Sequence, residues 1–164
     1  IGADRLANAV AVHASFGAPA IVIDFGTAVT FDVVGLSRRI PDAERGEKTE
    51  PPGSYLGGVI APGLASLTDY LADHTALLPH IDLAEPESAI GKSTTEAMRA
   101  GAVIGYRGMI REILAAVTAE LGGEPRVVAT GGDAELIAAG LPSIREVIPD
   151  LTLQGIDLIG RRNL

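Results

Sequence analysis

The chain has no cysteine, which excludes a disulfide framework and any thiolate metal site and fits a cytosolic protein. Basic residues are scarce as well: 13 Lys and Arg stand against 21 Asp and Glu, a formal net charge of −8. The basic footprint of a nucleic-acid binder is therefore missing, and an anionic membrane surface would repel the chain. An anionic substrate would need local positive groups and a metal ion to overcome the overall field. No apolar run reaches the length of a membrane span. No charged segment followed by an apolar core opens the sequence, so no secretory leader is expected. His13, His74 and His80 lack metal-ligand spacing, and no Ser/His/Asp arrangement or internal repeat stands out.

What is present is apolar bulk. Hydrophobic residues make up 47% of 164, enough for one domain with a full core. Gly and Ala are abundant and aromatics few, as in α/β folds with tight turns and close helix packing.

Asp4 to Ser15 has helical spacing, with Leu6, Val10 and His13 on one face, and Gly17-Ala18-Pro19 breaks it. Strands are expected near 20–24 and 29–34. Residues 35–53 are charged and rich in Pro and Gly, and read as a solvated loop insertion on a hairpin. Tyr55 to Ile60 is the next expected strand, and Pro62-Gly63 turns it into a helix near 64–73. An extended stretch follows from Leu77 to Glu87. The spacing predicts a long helix from about Thr94 to Leu121, with Ser93 or Thr94 as N-cap, Glu96 in the first turn and Gly122-Gly123 as the stop. A strand from Arg126 to Ala129, a helix from Asp133 to Gly140 and a short strand from Glu146 to Ile148 complete the reading. Strands first, then helix–strand–helix, argue for an α/β domain of ribonuclease-H-like character, a mixed sheet flanked by helices.

Residues 21–32 carry the strongest motif. Ile21 to Ile23 suits a buried strand, Asp24 ends it, Gly26 allows a sharp turn, and Thr27 and Thr30 supply hydroxyls. A hairpin tip of this kind can face phosphate, with the Asp holding a cation that screens its charge. The same residues also suit an ordinary turn. Asp4 and Arg5 open the first helix, where anions are attracted. Arg5 can hold a carboxylate through two donors, and Asp4 can accept a proton from a substrate hydroxyl; both also suit a capping Asp and a surface Arg. Gly91-Lys92-Ser93 looks like the end of a Walker A loop, but position 86 is Pro where that loop needs Gly. Thr130-Gly131-Gly132 stands between a strand and a helix, where paired glycines let a flat adenine or ribose lie against backbone or simply make a turn.

In order, the stretches Gly2-Ala3-Asp4-Arg5-Leu6-Ala7-Asn8-Ala9, Ile21 to Asp32, Tyr55 to Leu64, Ile90 to Met98 and Val128 to Ala134 resemble the type III pantothenate kinases of the acetate kinase/Hsp70/actin-like superfamily. The resemblance runs from Gly2 to Leu164. It implies an actin-like ATPase domain, one of two similar domains around a cleft. The Asp-x-Gly-Asn-Thr phosphate motif that opens the first domain and helps place Mg²⁺ and ATP does not occur in the chain. Residues 1–164 are therefore expected to be the second, C-terminal half, without the N-terminal domain and inactive by themselves.

The resemblance casts Asp4 as the catalytic proton acceptor and Gly2, Ala3, Asp4 and Arg5 as the pantothenate-binding segment. Thr94 would contact that site, across a dimer interface. It makes Asp24 the ligand of a monovalent cation, K⁺ or NH₄⁺, with Gly26 and Thr27 as ATP contacts. Gly131 and Gly132 would lie against the adenosine. Val29 stands where many relatives carry a hydroxyl. The implied activity is transfer of the γ-phosphoryl of ATP to the primary hydroxyl of pantothenate, the opening step of coenzyme A synthesis, in a cytoplasmic homodimer with no nucleic-acid or membrane partner. The resemblance extends to Bvg accessory factors, named for regulation, so a non-catalytic binding or dimerisation module is the second reading.

Overall fold

The apolar stretch around Ile21–Ile23 becomes the centre of the sheet. The computed structural model describes residues 1–36 and 53–162. Strand β1 (Ala20–Phe25) pairs antiparallel with β2 (Ala28–Leu36), which pairs antiparallel with β3 (Gly53–Pro62). On its other side β1 runs parallel to β4 (Arg126–Gly131), and β4 runs parallel to the short β5 (Glu146–Val147). The five-stranded order β3-β2-β1-β4-β5 is the mixed, ribonuclease-H-like sheet expected from the order of elements.

Side chains alternate across a strand, and β1 shows the consequence. Ile21, Ile23 and Phe25 point to one core, with Val29, Phe31, Val127 and Ala129 of neighbouring strands. That face is covered by α2 (Leu64–His74), α3 (Thr94–Leu121) and α4 (Ala134–Ala138), through Leu64, Val103, Tyr106, Ile110 and Ile137. Ala20 and Val22 point to the opposite core with Val34 and Val128, under α1 (Ala3–Phe16) and α5 (Leu151–Arg162).

The bounds of α3 coincide with the expected ones, because its ends are set locally. Ser93 Oγ accepts from the Glu96 N–H at 3.2 Å, Glu96 Oε2 accepts from the Lys92 N–H at 2.8 Å, and Gly122 takes the left-handed conformation. Strand β3 is longer than expected, and a register shift between Val33 and Val34 lets Leu56 bulge. Of the expected 35–53 loop, Gly35 and Leu36 end β2 and Gly53 begins β3; residues 37–52 lie outside the described ones. Helix α5 was not expected. Its Gly155 lies so close to α1 that a Cβ there would overlap the Ala7 carbonyl. Among the described residues no helix is long and apolar enough to cross a membrane.

One polar side chain ties the α3 face together. Arg107 is buried and grips both oxygens of Glu85, at 2.8 and 2.6 Å, while its Nε donates to the Ile137 carbonyl at 3.2 Å and its Nη2 to the Leu136 carbonyl. It thus staples the irregular segment before α3 to the last turn of α4. The carboxylate of Glu85 holds the Arg107 guanidinium above its usual range, and Arg107 in turn lowers the Glu85 carboxyl. Arg107→Ala strands two carbonyls in a buried place, so a loss of about 2 kcal/mol is expected in urea unfolding. An unchanged midpoint would show that the staple carries no stability.

Candidate functional site

The register of the sheet builds the site. Asp24 pairs with Thr30 across β2 and with Thr130 across β4, so the three form a polar row on the face under α1 and α5. Asp24 is half-buried, and its Oδ2 accepts from Asn8 Nδ2 at 3.1 Å. Asn8 is fully buried in α1, and its Oδ1 accepts from Thr152 Oγ1 of α5 at 2.7 Å. Two helices therefore fix one oxygen of Asp24, and among the described residues Oδ1 accepts no hydrogen bond.

Arg5 lies one helical turn before Asn8, so it points the same way. Its Nε donates to Oδ1 of Asp32 at 2.7 Å. Asp32 is fully buried in the middle of β2 and also accepts from Tyr55 OH at 3.1 Å. Burial raises the Asp32 carboxyl, and the hydrogen bond and charge of Arg5 oppose that rise. Asp4 is exposed in the first turn of α1, with its carboxylate folded back over Gly2, where a Cβ would overlap Oδ1. The first turn is also where a helix favours negative charge.

The turn after β1 is exposed at Gly26, Thr27 and Ala28. The Gly26 N–H donates inside the turn to the Ala28 carbonyl at 3.2 Å. The Thr27 carbonyl is held by the Gly63 N–H at 3.0 Å and by Ser66 Oγ at 2.9 Å, at the start of α2. The Thr27 side chain stays exposed.

Gly131 ends β4 beside Phe25, with φ +95°, and a Cβ there would stand 2.5 Å from the Phe25 carbonyl oxygen. Gly132 is exposed, and its missing Cβ faces open space. The carboxyl ends of the parallel strands β1 and β4 thus bring the 26–27 and 131–132 turns side by side, the place where open α/β sheets bind ligands. Burial raises the Asp133 carboxyl next to them, and burial together with the Asp133 charge pushes the Tyr106 hydroxyl up to about 12. Gly131→Ala is expected to cost about 1–3 kcal/mol, from positive φ and the collision with Phe25. Gly132→Ala is expected to leave the melting temperature unchanged and to lower affinity for a nucleotide that lies against it. Equal effects of the two substitutions on stability would contradict the placement.

Thr94 is not brought to Asp4 and Arg5. It opens α3, on the other side of the sheet, and lines an apolar groove of about 660 Å³ between α2 and α3 with Leu67, Leu71, Met98 and Met109. Among the described residues no group of three or more His, Cys, Asp or Glu could hold a metal. The oxygen set around Asp24 is sparse: one carboxylate with a free oxygen and the Thr30 hydroxyl beside it. Sequence reasoning gave no role to Asn8, Asp32 or Tyr55. The one available signal was a carboxylate inside the apolar run Val29 to Val34.

Comparison with known proteins matches this chain to one family. The sequence profile described as type III pantothenate kinase matches residues 1–116. A type III pantothenate kinase of Akkermansia muciniphila is 56% identical over 164 residues, 100% of this chain and 62% of that protein. One of Methylacidiphilum infernorum is 47% identical, over 98% of this chain and 54% of that protein. The chain spans little more than half the length of these curated relatives. Among solved structures, a Baf family transcriptional activator from Campylobacter jejuni superposes with a TM-score of 0.64 at 19% identity, over 99% of this chain and 65% of that one. At that identity the likeness shows the fold alone.

Proposed function

The chain belongs to the type III pantothenate kinase family, and on that premise we propose that it serves the ATP-dependent phosphorylation of pantothenate, the first step of coenzyme A synthesis. In this reading residues 1–164 are the C-terminal domain of a two-domain enzyme, whose other domain supplies the remaining grip on phosphate and Mg²⁺. The observation that supports it most is the double tie made by α1: Arg5 to Asp32 and Asn8 to Asp24. One helix start thereby joins the acceptor motif to the phosphate-side motif, as transfer between two bound substrates requires. The two curated relatives named above carry the name of a kinase, so the non-catalytic module is not favoured.

The roles in this reading are those the resemblance implies, and the exposure and partners of the residues support them. Arg5 takes the acceptor carboxylate, and Gly2 and Ala3 leave the helix start open to it. Asp4 accepts the proton of the primary hydroxyl as that oxygen attacks the γ-phosphorus; the bond to the β-γ bridging oxygen breaks, and ADP leaves. The transition state of phosphoryl transfer is loose, so orienting the hydroxyl matters more than basicity. Asp24, through Oδ1, holds a monovalent cation, K⁺ or NH₄⁺, which would screen phosphate charge in a protein of net charge −8. Thr27 and Gly26 line the phosphate side, and Gly131 and Gly132 leave room for the adenosine. Thr94, on the far face, serves the acceptor site of a second copy in a cytoplasmic homodimer.

The reading is tested by calorimetric titration of pantothenate into the full-length protein and its Arg5→Met variant. Binding by the wild type and loss of about 10-fold or more in the variant are expected, the worth of a charge-assisted fork. Equal affinity in both would contradict it.

A further inference from the structure

We propose that Asp32, a residue the substrate cannot touch, sets acceptor specificity by holding one edge of the Arg5 guanidinium so that the opposite edge is presented to the acceptor carboxylate. The inference rests on the reading of Arg5 as the acceptor ligand. Asp32 is 0% exposed, so it acts only through what it binds. A buried carboxylate is costly unless it is paired and hydrogen-bonded. Here Arg5 Nε donates to Oδ1 at 2.7 Å, Tyr55 OH to the same oxygen at 3.1 Å, and Thr30 Oγ1 to Oδ2 at 3.5 Å.

Arg5 Nη2 donates to the Phe31 carbonyl at 3.4 Å. The edge formed by Nε and Nη2 is thus committed to β2. A guanidinium is a rigid fork with five donors. The committed edge leaves Nη1 and the second proton of Nη2, a pair spaced for the two oxygens of a carboxylate. Gly58 of β3 backs the group: a Cβ there would overlap the Phe31 carbonyl oxygen and stand 2.6 Å from Arg5 Nη2. Tyr55 keeps its proton for Asp32, because burial and the Asp32 charge raise its hydroxyl. The guanidinium is therefore fixed from below by an ion pair, from the side by a carbonyl and from behind by bare backbone. It is a preorganised receptor for a planar anion, and an acceptor lacking the carboxylate gains nothing from it.

The test uses the full-length protein and two acceptors, pantothenate and the alcohol made by reducing its carboxylate. Dissociation constants are measured for wild type, Asp32→Asn, Tyr55→Phe and Arg5→Met, and the KM for ATP is followed in parallel. Asp32→Asn is expected to weaken pantothenate by about 10-fold or more, the loss of one charge-assisted contact. The alcohol and the KM for ATP should stay within about twofold, an allowance for experimental scatter and small repacking. Tyr55→Phe, which keeps the buried carboxylate, should shift pantothenate the same way by a smaller factor, and it carries the test should Asp32→Asn fail to fold. A substitution that weakens both acceptors equally, or neither, overturns the proposal. The two readings separate on Arg5→Met. If that variant keeps the discrimination, the role of Arg5 is wrong and the proposal falls with it. If it abolishes the discrimination while Asp32→Asn and Tyr55→Phe do not, only the role of Asp32 falls.

Discussion

Asp4→Asn in the full-length protein is expected to lower kcat by about 10²–10⁴-fold, the usual worth of one positioned proton acceptor. ATP affinity should stay nearly unchanged, because the proposed nucleotide site lies at the turns after β1 and β4, which adjoin each other, and not at the start of α1. The melting temperature should barely move. Asp4 is exposed in the first turn of α1, and its contribution there is a favourable term with the helix dipole of about 0.3–1 kcal/mol. The side chain is isosteric, and the Arg5–Asp32 and Asn8–Asp24 ties do not pass through it. A large kinetic loss on an intact scaffold is the signature of a group that touches the reacting hydroxyl. Near wild-type turnover would make Asp4 no more than the acidic residue of a helix start.

Replacement of Asp24 is expected to weaken nucleotide binding on the order of 10-fold and to abolish stimulation by K⁺ or NH₄⁺, the worth of one ionic contact. The structure shows why two variants are needed. Asp24→Ala strands the Asn8 amide, which is buried and held on its other side by Thr152, so a loss of about 1–3 kcal/mol of stability comes with it. Asp24→Asn keeps an oxygen for Asn8 and removes only the charge. If Asp24 binds the cation, both variants lose the K⁺ dependence of ATP affinity. If it only closes the end of β1, Asp24→Ala melts lower, Asp24→Asn does not, and the K⁺ dependence survives in both.

How much of this was legible in the sequence depends on how far each feature reaches along the chain. The ends of α3 were legible, since Ser93, Glu96 and Gly122 act within a turn of themselves. Strand β1 was legible from its apolar run and its terminal Asp24. Helix α5 was not: Gly155 and Gly160 lower helix propensity, and what holds the helix is its approach to Ala7 at the other end of the chain. The length of β3 was hidden because Gly53 reads as the end of a Pro- and Gly-rich loop and Pro62 as a breaker, while pairing with β2 carries the strand to both. The candidate site divides in the same way. Asp4, Arg5, Asp24 and the Gly131-Gly132 pair stand in local motifs. The roles of Asn8, Asp32 and Tyr55 exist only once register places β2 beside β1 and α1 lies across both. Thr94 reads as a helix start from sequence, and only the layering shows that it faces away from Asp4.

In the proposed enzyme, α1 presents an acceptor hydroxyl to a nucleotide held at the ends of β1 and β4. The most direct measurement is ADP release by the full-length protein supplied with ATP, Mg²⁺ and K⁺, with and without pantothenate. One ADP per phosphorylated pantothenate, and no release beyond background without the acceptor, is the predicted result. ADP release that ignores pantothenate, or its absence in a folded, ATP-binding protein, would contradict the account.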